Sequence, residues 1–274
     1  MNTLQRCKPL LGTFVEVTVQ DDVSDKALIE QSNAVFKEIE HIESTMSFHN
    51  KYSELSFINR YAHRRPVSMS KDMSKVINQA LVLSYLTKGV YDISVAPDLV
   101  SSGLLPDHDY DVDPHASWQD VVIISERIHF NRPLTLDLGG IAKGYAVDKA
   151  VAAADGNCQV IVNAGGDLKM SHWQNQHASI RVPDSTSGQT IDIPMQAAAV
   201  ATSGHYFLDG DIAIVNANTK QKVDDDISVS VFSNSCMLAD ALTKVDFLYE
   251  GSASIISAFQ AKTFRMDRSG KTLM

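Results

Sequence analysis

The segment with the clearest chemical content is a glycine pair followed by a lysine, in LDLGGIAKGYAVD at residues 136–148. Glycines let a backbone approach a ligand closely, and the first N–H groups of a helix are free to bind phosphate oxygens. Lys143 adds a cation, and the carboxylate of Asp137 can accept hydrogen bonds from a base or a ribose. The pattern favours a phosphate-bearing ligand, but a tight turn with a surface lysine is an equally simple interpretation.

A second glycine turn, NAGGD at residues 163–167, follows a strand-like apolar run. A turn of this kind either brings backbone close to a ligand or forms the corner of a hairpin. Neither segment matches G-x-x-x-x-G-K-[ST] or G-x-G-x-x-G, so P-loop NTPases and Rossmann dehydrogenases gain no support.

Two polar clusters follow later in the chain. ADALTK at residues 239–244 places Asp240 and Thr243 on one helical face, where a carboxylate and a hydroxyl could hold Mg²⁺. The alternative is an ordinary ion pair between Asp240 and Lys244, four residues apart. TSGHY at residues 202–206 offers hydroxyls and an imidazole, but it has no partner pattern of a serine hydrolase, and capping is the simpler interpretation.

The composition is that of a globular domain, with 274 residues, 44% hydrophobic and 21% charged. A net charge of −9 without a basic cluster argues against nucleic acid as a partner. Cys7, Cys158 and Cys236 are few and far apart, which excludes a disulfide framework or a zinc motif. The first residues lack the apolar run of a signal peptide or membrane span, so we expect no transmembrane segment and a cytoplasmic protein.

Hydrophobic periodicity predicts the elements that position these residues. Alternation predicts a strand over 13–19, and apolar spacing predicts a helix over 24–46. Further helices are predicted after Ser53 and Ser70, from the glycine pair to 154 and over 235–244. Short strands are predicted at 121–124, 128–130, 134–136, 160–163, 180–182, 191–193, 212–215 and 228–232. Because no regular βαβ rhythm appears, we predict an α+β fold.

Taken in order, these segments resemble the ApbE family of flavin transferases. The resemblance is carried by LGT (11–13), MS (46–47), SELS with Asn59 (53–59), GVYDISVAP (89–97), LDLGGIAKGYAVD (136–148), VNAGGD (162–167), ATSGHY (201–206) and ADAL (239–242). It implies one α+β, T-fold-like domain over residues 1–274, with mixed sheets and flanking helices. It also implies an FAD:protein FMN transferase, which moves FMN from FAD to a threonine or serine of an acceptor protein and releases AMP.

The same resemblance implies FAD as substrate, Mg²⁺ at its pyrophosphate, and an acceptor flavoprotein of an electron-transfer system. It places metal contacts at Gly140, Asp240 and Thr243. It places flavin-nucleotide contacts at Gly12, Thr13, His49, Ser102, Gly103, Leu104, Asp137, Lys143 and Ile214. His49 stands where relatives have a tyrosine near the flavin.

Three segments depart from the family pattern. The family's His-x-x-Asp-Pro-Arg-Thr-Gly segment aligns with AIVNANTK at 213–220, so its histidine base is Ala213, and we predict His205 or Asp209 as the replacement. The family's metal-binding threonine is Lys244, whose ammonium would compete with Mg²⁺ or take over its electrostatic role. SGLL at 102–105 replaces a tryptophan loop.

These departures leave two alternatives to an active transferase. One is a degenerate member that binds FAD or FMN without catalysis, and the other is an FAD pyrophosphatase. An unrelated α+β hydrolase gains no support, because the sequence offers no nucleophile–base pair.

Overall fold

The structure is a computed structural model that describes residues 1–183, 188–204, 215–216, 221–222 and 227–273. The described α-helices are α1 (Asp25–Met46), α2 (Glu54–Tyr61), α3 (Lys71–Leu86), α4 (Ala96–Ser101), α5 (Ala142–Ala152), α6 (Cys236–Leu248) and α7 (Ser252–Ala258). The described strands are β1 (Asn2–Leu10), β2 (Thr13–Asp21), β3 (Val67–Ser68), β4 (Val121–Ile124), β5 (Arg127–Phe130), β6 (Gln159–Ala164), β7 (Asp167–Met170), β8 (His177–Arg181), β9 (Thr190–Pro194), β10 (Ala199–Gly204), β11 (Val215–Asn216), β12 (Gln221–Lys222), β13 (Ile227–Ser233), β14 (Lys262–Asp267) and β15 (Thr272–Leu273).

The largest sheet in the described part of the chain has eight strands, in the order β1-β2-β6-β7-β10-β13-β14-β15. The strand predicted from alternation is β2, where Val15, Val17 and Val19 are fully buried on one face. The α+β class is confirmed. Mixed sheets were expected, but all strand pairs described are antiparallel. In the largest sheet, β1–β2 and β6–β7 are hairpins with two-residue turns, which can join only antiparallel strands.

Two helices pack side by side on this sheet and bring distant parts of the sequence together. On α5, Gly144 lies against the first turn of α6, and a Cβ at Gly144 would lie 2.3 Å from the carbonyl oxygen of Cys236. Because only glycine permits this approach, the charged residues of α5 and α6 lie close to each other.

The predicted helix starts are confirmed where a serine caps the helix. The side chains of Ser24, Ser53 and Ser70 accept hydrogen bonds from the first turns of α1, α2 and α3. The helix predicted to begin at the glycine pair begins later, at Ala142, because Gly139 and Gly140 form a turn before it. The predicted helix near 235–244 continues to Leu248 as α6.

The strand predicted at 134–136 is wrong. The backbone N–H and C=O of Leu136 both bond to the side chain of Asn59, each at 2.9 Å, and not to a neighbouring strand. The N–H of Asp137 then donates to the carbonyl of Ile93 at 2.8 Å. These bonds hold a buried, extended segment that delivers Asp137 to the site described next.

The other predicted strands are confirmed within a few residues as β4, β5, β6, β8, β9 and β13, and the one at 212–215 lies outside the described residues except for Val215. Periodicity did not predict β1, which pairs with β2 along its whole length. Among the described residues, no helix has both the length and the apolar character needed to cross a bilayer.

Candidate active site

A cavity of about 840 Å³ lies where the end of α1, the start of α5, the end of β10 and the last turns of α6 meet. This volume falls within the range of small-molecule and cofactor sites. Its walls are mostly apolar, with a smaller set of polar groups. The apolar lining comprises Leu11, Ile42, Met46, Phe48, Ile93, Val95, Leu99, Leu104, Leu105, Leu138, Ala142, Phe247 and Leu248. Such a surface suits a flat, largely apolar ring system.

The glycine turn before α5 forms part of the polar wall. Gly139, Gly140 and Lys143 line the cavity, whereas most N–H groups in the first turn of α5 are already bonded within the fold. The carboxylate of Asp137 accepts a hydrogen bond from the N–H of Gly139 at 3.0 Å, which fixes the turn. Burial raises the pKa of Asp137, although this hydrogen bond and the nearby His49 oppose the rise.

Behind this wall lie two buried ion pairs. The ammonium of Lys143 bonds to the carboxylate of Asp167, and the ammonium of Lys244 bonds to Oδ1 of Asp240. The carboxylates are almost fully buried, whereas the lysine side chains are 25% and 19% exposed. Oδ2 of Asp240 accepts a hydrogen bond from the N–H of Gly144 at 3.1 Å. Each carboxylate is therefore anchored in the core, and each lysine lines the cavity.

The charges of this cluster act on one another. Burial opposes ionisation of Asp240, but Lys143 and Lys244 outweigh it and hold its pKa at about 2. Burial and the negative charge of Asp240 raise the pKa of Asp167 to about 7, against the opposing effect of Lys143. Burial would lower the pKa of Lys143, but the carboxylates of Asp167 and Asp240 outweigh it and raise that pKa. Lys143 and Asp240 are thus charged at neutral pH.

A hydroxyl pair lies beside the cluster. The Thr243 hydroxyl donates to the backbone carbonyl of Asp240 at 2.7 Å, so it must accept its second bond, also 2.7 Å, from the hydroxyl of Ser203. Ser203 lines the cavity, whereas Thr243 is fully buried. On the same cavity, the buried hydroxyl of Tyr91 has no hydrogen-bond partner among the described residues. Its O–H can therefore donate to a ligand.

The structure brings most of the predicted site residues together. Among them, Gly12, His49, Leu104, Asp137, Gly140 and Lys143 line the cavity. Asp240 and Thr243 lie just behind it and contact it through Lys244 and Ser203. Thr13 also lies one layer back, because it packs against the lining residue Gly165, where a Cβ would lie 2.5 Å from the Thr13 hydroxyl.

Two predicted nucleotide contacts lie away from the lining, and three predicted site residues fall in the part of the chain that the structure does not describe. Ser102 ends α4, and its hydroxyl bonds back to the carbonyl of Leu99 at 3.1 Å. Gly103 turns the chain with a φ of 75°, so Leu104 and not Gly103 faces the cavity. The outside positions are His205, Asp209 and Ile214.

Sequence reasoning missed Asp167, Ser203 and Tyr91 as site residues. Asp167 was visible only as the end of a glycine turn, and its partner Lys143 is 24 residues away. Tyr91 and Ser203 both lie inside motifs that resemble the family, but residue type alone did not distinguish them from structural positions.

The comparisons with known proteins agree with this geometry. The sequence model of the ApbE family matches residues 11–262. The chain belongs to the ApbE family. An FAD:protein FMN transferase from Chlamydia pneumoniae is 28% identical over 254 residues, covering 85% of this chain and 80% of the relative. One from Vibrio cholerae is 26% identical over 262 residues, covering 85% and 78%.

Solved structures of ApbE proteins share the fold. The flavin transferase ApbE from Vibrio cholerae superposes with a TM-score of 0.80, at 23% identity, and the match covers 99% of this chain and 95% of that structure. The ApbE protein from Thermotoga maritima superposes with a TM-score of 0.82, also at 23% identity, covering 99% and 96%.

The Mg²⁺ that the family resemblance implies does not fit the residues found here. Mg²⁺ requires about six oxygen ligands in octahedral geometry. The Oδ1 atom of Asp240 is bonded to Lys244, and the hydroxyl of Thr243 is engaged by Asp240 and Ser203. Within the described ranges, no group of three or more His, Cys, Asp or Glu residues could hold a metal ion. Beside Gly140, predicted as the third ligand, the Lys244 side chain fills the space that a Cβ would enter, with Cε 3.8 Å from that Cβ position.

Proposed function

We propose that this ApbE-family chain is an FAD:protein FMN transferase with a single catalytic domain over residues 1–274. In this reaction, a hydroxyl oxygen of the acceptor forms a bond to the FMN phosphorus of FAD. The bond between that phosphorus and the AMP oxygen breaks, AMP leaves with the electron pair, and the hydroxyl proton passes to a base. Acceptor hydroxyl and FAD thus become the FMN phosphoester, AMP and a proton.

The observation that carries the proposal is the composition of the cavity. An apolar wall that suits a flavin ring adjoins the start of α5 and the ammonium groups of Lys143 and Lys244. Cations that can donate hydrogen bonds are what a pyrophosphate requires. Phosphoryl transfer is catalysed mainly by positioning and charge stabilisation, and a preformed pair of anchored lysines supplies both.

The names of the relatives support the transferase over the alternatives. Relatives called FAD:protein FMN transferase align over most of the chain, with about four fifths of their own length matched. A binder without catalysis and an FAD pyrophosphatase are therefore not favoured. We further propose that the acceptor is a threonine- or serine-bearing flavoprotein of an electron-transfer system.

The roles of the individual residues follow from their positions. We assign contacts with the flavin nucleotide to Asp137 and Lys143, and a hydrogen bond to the ligand to the unpartnered hydroxyl of Tyr91. His205 and Asp209 remain the predicted candidates for the base.

The test is to incubate the purified protein with FAD and a protein extract that contains candidate acceptors. AMP is measured by chromatography, and covalent flavin is detected as ultraviolet fluorescence of bands on a denaturing gel. We expect AMP and fluorescent bands to appear together. FAD binding without either product in the presence of acceptor would support the non-catalytic alternative, and AMP without fluorescent protein would support the pyrophosphatase.

The site assignment is tested by the double change Asp137→Ala, Lys143→Ala. Losing hydrogen bonds to charged groups costs about 1.5–3 kcal/mol each, so the loss of both should weaken FAD binding roughly 100- to 10,000-fold. The matched control is Lys169→Ala, which removes a lysine paired with Asp148 outside the cavity lining. Transfer that survives the double change would show that the assignment is wrong.

A further inference from the structure

Lys244 occupies the place between Gly140 and Asp240, two of the residues to which the resemblance assigns a metal. Its ammonium bonds to Oδ1 and to the backbone carbonyl of Asp240, the latter at 3.1 Å. A Cβ added at Gly140 would lie 3.8 Å from Cε of Lys244. The side chain thus spans from α6 to the glycine turn that opens α5, and it lines the cavity.

The position of this ammonium is fixed by the fold. Asp240 is fully buried, and its other oxygen is held by the N–H of Gly144, so the carboxylate cannot turn away. Lys244 is four residues along the same helix, a spacing that places the two side chains side by side. The side chain of Lys244 is 19% exposed and lines the cavity, so a ligand there would lie close to its charge.

The charge balance of the cluster disfavours a further cation beside the two lysines. Two ammonium groups, on Lys143 and Lys244, face two carboxylates, on Asp167 and Asp240. Even with both carboxylates ionised, these four groups carry no net negative charge. A divalent ion placed among them would be repelled by both lysines at short range in a poorly solvated site. A pyrophosphate, in contrast, would find two cations already in position.

We propose that the ammonium of Lys244 is the cation that neutralises the FAD pyrophosphate, so that FMN transfer by this chain needs no divalent metal. This inference rests on the proposed function and assigns its electrostatic catalyst. As the phosphorus–oxygen bond to AMP breaks, negative charge grows on the leaving phosphate, and Lys244 stabilises it there. Lys244 acts only through its charge, so the bonds formed and broken are those of the proposed transfer reaction.

The first experiment is isothermal titration of FAD into the purified protein, in chelator and again in excess Mg²⁺. We expect dissociation constants that agree within about twofold, and AMP release with acceptor extract at equal rates in both buffers. Tight binding or AMP release that appears only with Mg²⁺ would overturn the metal-free proposal while leaving the proposed function intact. Absence of FAD binding in both buffers would instead contradict the proposed function itself.

Variants of Lys244 test the residue directly. In chelator, Lys244→Ala should weaken FAD binding roughly 10- to 100-fold, the equivalent of one charged hydrogen bond. Binding of riboflavin, which has no phosphate, should stay within about twofold of the unmodified protein. Equal losses for FAD and riboflavin would indicate a merely structural role and overturn the proposal, and so would undiminished FAD binding.

Lys244→Thr supplies a reciprocal test, because it replaces the ammonium by an oxygen ligand. We expect this variant to gain a bound metal, measured as loss of the free Mn²⁺ signal in electron paramagnetic resonance, and to recover FAD binding when metal is added. The unmodified protein and Lys169→Ala, whose lysine is also 19% exposed, should bind no Mn²⁺ in the presence of FAD. Mn²⁺ bound equally by all three proteins would contradict the replacement.

Discussion

Gly144 lies in the first half of α5, where the helix touches α6, and the contact leaves no room for a methyl group. A Cβ there would lie 2.3 Å from the carbonyl oxygen and 2.7 Å from the carbonyl carbon of Cys236, and 2.9 Å from Cβ of Asp240. Two of these atoms belong to backbone, so the clash cannot be relieved by rotating a side chain. We therefore predict that Gly144→Ala forces α5 and α6 apart.

The size of the effect follows from three contributions. Overpacking of a well-packed interior costs typically about 1–3 kcal/mol. Separation of the helices also weakens the charge-assisted bond from Gly144 to Asp240, worth about 1.5–3 kcal/mol. Alanine returns about 1 kcal/mol through its better helix propensity. The net expectation is a loss of about 1.5–5 kcal/mol in the free energy of unfolding.

Urea unfolding followed by circular dichroism measures this loss, with Gly156→Ala as the control. A Cβ at Gly156 meets nothing within 4 Å, and the residue does not adopt a positive φ, so the control should be neutral or slightly stabilising. FAD titration of Gly144→Ala should show weaker binding as well, because Lys143 and Lys244 would move apart. A Gly144→Ala protein as stable as the unmodified chain, or more stable by the helix-propensity gain, would refute this account of the contact between α5 and α6.

Two further changes test parts of the fold that support the site. Asn59→Ala leaves the buried N–H and C=O of Leu136 without partners, at about 1–3 kcal/mol each, and urea unfolding should show a loss of about 2–6 kcal/mol. For Asp72, burial opposes ionisation, but the hydroxyl of Tyr145 and the ammonium of Lys149 outweigh it and lower its pKa below 3.8. Because the pKa of Asp72 is lower in the folded protein than in the unfolded chain, its ionised carboxylate stabilises the fold at neutral pH, and this stabilisation is lost as the pH falls through the pKa of the folded state. Asp72→Asn should therefore have a lower free energy of unfolding than the unmodified protein at pH 7, and the two values should converge in acid. A difference in unfolding free energy that does not change with pH would contradict that interpretation of Asp72.

Several features of this protein could be read from local sequence alone. Alternating apolar residues define β2, and the spacing of apolar residues together with Ser24 defines α1, because burial on one face and capping depend on neighbours within a few residues. The glycine pair and Lys143 indicated a phosphate site for the same reason, since turn geometry and helix start are local properties.

The tertiary structure decided which of these residues meet. The strand order β6-β7-β10-β13 and the close contact at Gly144 bring Asp167 beside Lys143 and set both next to α6. The segment at 134–136 has the residues of a strand, but a side chain 77 positions away takes its hydrogen bonds. Such pairings depend on how sheets and helices stack and not on local periodicity.

Lys244 shows most clearly what the local sequence determined and what only the fold determined. From sequence, two interpretations of this helix were open: either Asp240 and Thr243 hold Mg²⁺, or Asp240 forms an ordinary ion pair with Lys244. The fold buries Asp240 completely, leaves the lysine at the cavity wall and places a second lysine beside it. Helical spacing determined that the two side chains touch, and only the packing of α6 against α5 determined that Lys244 lines the cavity.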